Sequence, residues 1–124
     1  EALTMIDMAK KNITPAVTAF VKEITDAALA KKALSAAIPT DVEEELIMSL
    51  SNKLVCFVME TAELEDAVMN AAGFDGDPLA RATFFRENVF AKMQELRAVG
   101  DSMETETASE FWPYPSYTEL LFSV

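Results

Sequence analysis

Four carboxylates crowd five positions, Asp41, Glu43, Glu44 and Glu45. Hard cations take oxygen ligands, so a cation site is one reading of this cluster. The other is electrostatic, because the cluster follows Ile38-Pro39-Thr40 and would occupy the first turns of a helix. The helix dipole favours negative charge there. The turn "GFDGDP" supplies Asp75 and Asp77 but lacks the twelve-residue ligand series of a calcium loop. Arg81, Arg86, Lys92 and Arg97 could together grip a phosphate. Spread along a helix, they more simply pair with acids on neighbouring turns. Cys56 is the single cysteine, which excludes an internal disulfide and reads as a buried or half-buried thiol in a reduced compartment. The sequence holds no histidine. Ser-His and Cys-His nucleophile pairs, imidazole zinc sites and Glu-x-x-His di-iron sites are therefore absent from it. No catalytic, cofactor-binding or metal-binding residue is assigned.

The elements that would carry these groups are helical. Glycine is scarce (three) and alanine abundant, and hydrophobic residues make up 51% of the 124 positions. That composition is enough for one domain with a modest core. The net charge of −11 opposes binding to nucleic acid or to anionic membranes. No apolar run approaches the roughly 20 residues of a membrane span. The chain opens in helical rhythm and without methionine, as expected for a fragment of something longer.

Three long helices are predicted. The first runs from about Ala2 to Ser35 with Leu3, Ile6, Ile13, Val17, Phe20, Ile24, Ala27 and Leu34 on one stripe, and a kink at Pro15. The second runs from about Asp41 to Ala72, started by a capping box of Thr40 and Glu43 and ended at Gly73. Its stripe is Leu46, Leu50, Leu54, Phe57, Thr61, Leu64, Val68 and Ala71, widened by Ile47 and Val58. The third begins with Asp77 as cap and Pro78 at its first position, and continues to Glu110. Leu79, Ala82, Phe85, Val89, Met93, Leu96, Gly100 and Met103 form its stripe. Short links between long amphipathic helices imply antiparallel neighbours. The expected fold is all-α: an elongated antiparallel bundle over residues 1–110, centred on Leu54, Phe57, Phe85, Val89 and Phe20.

After Glu110 the composition changes. The tail, residues 111–124, carries Phe111, Trp112, Tyr114, Tyr117, Leu120, Leu121 and Phe122, and Pro113 and Pro115 hold its first part extended. Ser116 and Glu119 make a second capping box, so Tyr117–Phe122 reads as a short helix. Ordering this tail costs about 14–28 kcal/mol at about 1–2 per residue. Burying its large side chains returns about 12–24 kcal/mol. The tail is thus expected to dock, either on the bundle as part of one domain or on a partner surface.

The segments "MQELRAVGDSMET" and "FWPYPSYTELLFSV" resemble the C-terminus of type III glutamine synthetases, and "TMIDMAKKNITPAV" resembles the segment leaving the catalytic domain of that family. The resemblance spans about Leu3 to Val124. Ala91 departs from it, standing where the family pattern "VFPAM" has proline, so no bend is expected there. The resemblance implies a cytoplasmic parent that ligates ammonia to glutamate through a γ-glutamyl phosphate, using ATP and Mg or Mn. It also implies an assembly of two stacked hexameric rings. Partners would be the catalytic domain of the same chain and neighbouring subunits of that dodecamer, with no nucleic acid and no membrane. The family's catalytic residues lie upstream, so none carries over, and the fragment itself is expected to be inactive. The alternative is a regulatory or protein-interaction module with no enzymatic role.

Overall fold

The computed structural model describes residues 1–115. Among them the fold is all-helical, with three helical limbs and no strand. The first limb is α1 (Ala2–Met8), a π turn (Ala9–Ile13) and α2 (Thr14–Leu34). The middle limb is one unbroken helix, α3 (Asp41–Gly73). The third is α4 (Pro78–Phe84), a second π turn (Phe85–Phe90) and α5 (Ala91–Glu106).

Pro15 accounts for the first π turn. It has no N–H to offer Lys11, and its ring crowds that carbonyl. The ladder slips by one residue just before it, and Thr14 donates its N–H to the Ala9 carbonyl. Pro15 thus widens the turn ahead of it. At the second π turn the Asn88 amide donates to the Phe84 carbonyl at 2.9 Å, the acceptor that its own backbone N–H would use in an α-helix. The helix departs from α geometry immediately before Ala91, with no proline present.

This slip corrects the stripe predicted for the third limb. One extra residue in a turn rotates everything upstream by about 100° relative to the unbroken period. Val89, Leu96, Gly100 and Met103, at and beyond the slip, are buried as expected. Upstream of Val89, Leu79, Ala82 and Phe85 are exposed, and Phe85 is 47% accessible rather than central. In the first limb Ile6, Val17 and Ile24 are buried, but Leu3, Ala27 and Leu34 are exposed; Ala2, Ala9 and Ala28 take the buried positions instead. In α3, which nothing interrupts, Leu50, Phe57, Thr61 and Leu64 are buried and Leu54 packs on the core. Val58 is exposed and does not widen the stripe, and Cys56 is exposed rather than buried.

The helix ends also differ in detail. Asp77 caps α4 as expected, its carboxylate accepting the Ala80 N–H at 2.7 Å. Thr40 is buried but forms no box with Glu43; its hydroxyl donates to Glu44 at 2.7 Å, while Glu43 pairs with Lys31. α3 ends at Gly73 without a left-handed residue, the Phe74 N–H closing on the Ala71 carbonyl at 3.3 Å. α5 stops at Glu106, four residues earlier than expected. Buried Thr107 turns both its N–H and its hydroxyl to the Met103 carbonyl, at 3.0 and 2.8 Å.

Ion pairs fix the direction of the limbs. Lys31 of α2 meets Glu43 at one end of α3, while Lys10 reaches Glu65 nearer the other at 2.6 Å. Lys53 holds Glu106 at 2.6 Å and Lys92 holds Glu63 at 2.6 Å. Each outer limb therefore runs antiparallel to α3. α3 is the middle member: α1, α2 and α5 all pack on it, and the outer limbs touch each other only marginally. The core lies along the inward face of α3, and the side between the outer limbs is left as a cleft.

Candidate functional site

The cleft is floored by Phe57 of α3. One wall is Met5, Met8, Ala9 and Ile13 from the first limb; the other is Leu96, Arg97, Gly100, Asp101 and Glu104 from α5. Its volume is about 310 Å³. α5 lies close to the floor at Gly100, where an added Cβ would stand 3.4 Å from the Phe57 ring, in ordinary contact. The mouth is crossed by the start of the tail. After α5 the chain reverses through two hydrogen bonds, Phe111 N–H to Ala108 and Trp112 N–H to Ser109, at 2.9 and 3.2 Å. Phe111 then lies against Phe20 of α2, ring centroids 5.2 Å apart, and Trp112 packs on the core. Trp112, Tyr114 and Pro115 complete the cleft lining. The tail thus begins as a fourth member laid against the gap that three limbs leave.

Tyr114 adds a buried polar group to the charged Arg97, Asp101 and Glu104 of the α5 wall. Its hydroxyl is buried and has no hydrogen-bond partner among the described residues. Burial pushes the phenol above its ordinary pKa, and the Asp7 carboxylate adds to the rise. A buried group of this kind is uncommon, because an unmade hydrogen bond costs about 1–3 kcal/mol. Of the tail residues singled out in the sequence, Phe111, Trp112 and Tyr114 come together here. Tyr117, Leu120, Leu121 and Phe122, with the short helix expected over them, lie outside the described residues.

A second cluster escaped the sequence reading. Carboxylate oxygens of Glu60, Glu63 and Glu95 lie within 4.8 Å of one another across α3 and α5. Burial raises the Glu60 pKa, reinforced by hydrogen bonding and repulsion from Glu95. Lys92 lowers that of Glu95, with a further contribution from hydrogen bonding to Glu60. Of the two, Glu60 is therefore the carboxyl that takes up a proton more readily. Three carboxylates could supply oxygen ligands to a hard cation. Here the Lys92 ammonium stands among them, 2.6 Å from Glu63 and 3.1 Å from Glu95, and its own pKa is raised by those bonds. The arrangement works as an ion-pair network centred on Lys92. The acids named from sequence are not gathered in this way: Glu43 is engaged by Lys31, and Asp77 is a helix cap. Nor do the four basic residues converge. Lys92 is paired, and Arg81, Arg86 and Arg97 make no ion pair among the described residues.

No protein-family model matches the chain, and no solved structure matches it. Among curated proteins one similarity extends over its whole length. The likeness is to a glutamine synthetase. That enzyme, from Butyrivibrio fibrisolvens, is 28% identical over 124 residues, which is 100% of this chain and 18% of the length of the enzyme. The chain thus spans less than a fifth of the protein it matches, and the homology is distant and partial. No described helix is long and apolar enough to cross a membrane.

Proposed function

We propose that this chain is the C-terminal helical domain of a type III glutamine synthetase and is not itself catalytic. The observation that carries the reading is the similarity to a glutamine synthetase through all 124 residues, at less than a fifth of that enzyme's length. The histidine-free sequence supports it, since the common nucleophile and imidazole-metal chemistries are closed to the piece. In this reading residues 1–110 are an elongated antiparallel bundle and residues 111–124 its docked tail, together one domain of a longer cytoplasmic chain. The parent ligates ammonia to glutamate with ATP and Mg or Mn. The bundle packs against the catalytic domain and neighbouring subunits of a dodecamer.

A second reading is favoured by the cleft. A hollow of about 310 Å³, with a Tyr114 hydroxyl that has no partner among the described residues, suits a regulatory module that takes a small effector. Two measurements separate the readings. Calorimetry of the chain with Mg-ATP is expected to give no saturable heat, and a micromolar site would overturn the non-catalytic assignment. Thermal-shift screening against small metabolites is expected to find no stabiliser of the isolated chain. A reproducible hit, lost in Tyr114→Phe, would move the assignment to the regulatory module.

A further inference from the structure

The face of α3 that points away from the core is bare and patterned. Met48, Asn52, Val55, Met59, Ala62, Asp66 and Met69 recur at alternating steps of four and three, and all seven are exposed. Met48 is 64% accessible, Val55 61%, Met59 57% and Met69 71%. This is the spacing of a coiled-coil seam, in which the apolar repeat faces a second helix. It spans about 32 Å by helical rise. The core stripe of the same helix, Leu50, Phe57 and Leu64, lies on the opposite side. α3 therefore carries two apolar faces, and the fold uses one.

We infer that this seam joins two copies of the chain, α3 against α3 in antiparallel order about a two-fold axis near Met59. The pattern itself selects that occupant. Its polar members, Asn52 and Asp66, sit on the same edge of the seam and equally far from Met59. A two-fold through Met59 lays Asn52 of one copy alongside Asp66 of the other, twice, so the amide donates to the carboxylate. On the other edge Val55 meets Ala62 and Met48 meets Met69 of the second copy. In a parallel pair each Asp66 would instead face its own copy, and two like charges would be driven together. The flanking positions agree. Glu63 of one copy comes level with Val55 of the other and Glu65 with Lys53, so no carboxylate meets a carboxylate along the seam. Such an interface is isologous, as a closed dimer requires. It is independent of the glutamine synthetase likeness.

Each copy carries a net charge of −11, so the two repel at long range while the seam attracts at contact. Association should therefore tighten as salt rises. Sedimentation of the 124-residue chain from about 1 to about 500 µM is expected to show a monomer–dimer equilibrium, tighter at about 500 than at about 50 mM NaCl. Met59→Glu, on an exposed site that leaves the fold intact by circular dichroism, should weaken it by about 30-fold or more. In a Cys56→Ser background, Met59→Cys should cross-link rapidly to a covalent dimer with diamide. Leu29→Cys, equally exposed on α2, should not. A monomer at every concentration would overturn the inference. So would a dimer indifferent to Met59→Glu, or equal cross-linking from both thiols.

Discussion

Replacing Phe57 by alanine tests how the cleft is built, because the same reasoning assigns a much smaller effect to Phe85. Both aromatics fall on stripes read from the sequence. In the structure Phe57 is 1% accessible and floors the cleft, whereas Phe85 is 47% accessible above the second π turn. Losing the buried ring forfeits about 2–3 kcal/mol of transfer free energy. The void left between α3 and α5 adds a cavity term, for a total of about 3–5 kcal/mol. Domains of this size hold about 5–15 kcal/mol in all, so the variant should remain folded but close to its limit. Phe85→Ala should cost about 1 kcal/mol or less, since half its ring already meets water. Guanidinium unfolding followed by circular dichroism reads both, and the slope should stay constant while the midpoint moves. Equal losses for the two variants would show that the slip at the second π turn does not set the phase of the third limb, and a loss under about 1 kcal/mol for Phe57→Ala would show that Phe57 does not floor the cleft.

Gly100→Ala should raise stability by about 0.5–1 kcal/mol, since it removes a mid-helix glycine and its new Cβ meets the Phe57 ring at 3.4 Å, an ordinary contact; thermal melts check this. Trp112→Ala should cost about 1.5–3 kcal/mol from its partial burial on the core, measured by chemical denaturation. Glu60 has a raised folded pKa, so its contribution favours folding below its unfolded value and turns against folding as pH rises through the folded one. Glu60→Gln should therefore raise the Tm near about pH 8, with the gain fading towards about pH 4. Glu106 has the opposite sign: Lys53, then Ser49, hold its pKa down against burial, so its stabilisation is present above the unfolded value and lost as pH falls through the folded one. Glu106→Gln should lower the Tm at neutral pH and match the parent chain near about pH 3.

Legibility of this fold in the sequence followed the regularity of the backbone. α3 runs 33 residues with no breaker, so a single period placed Leu50, Phe57 and Leu64 correctly from end to end. Asp77-Pro78 is a start signal complete in two residues, and the cap forms as read. In the third limb the spacing fails upstream of Val89, because a π turn over Phe85–Phe90 shifts the phase and no proline marks it in the sequence. Thr40 was recognised as a helix start, but its hydroxyl chose Glu44 because Lys31, far away in sequence, engages Glu43. The Glu60–Glu63–Glu95 cluster was invisible for a related reason. It depends on which turn of α5 faces which turn of α3, a fact of tertiary packing. The bare seam on α3 was present in the sequence at alternating four and three spacing, but the stronger leucine stripe on the other face of the same helix hid it.

The coding sequence upstream of the Glu1 codon is the sharpest test of the proposal that these 124 residues come from a glutamine synthetase chain. The expected result is an uninterrupted reading frame into an ammonia–glutamate ligase domain with carboxylate metal ligands and nucleotide-binding segments. A start codon immediately before Glu1, or a frame leading into an unrelated domain, would contradict it.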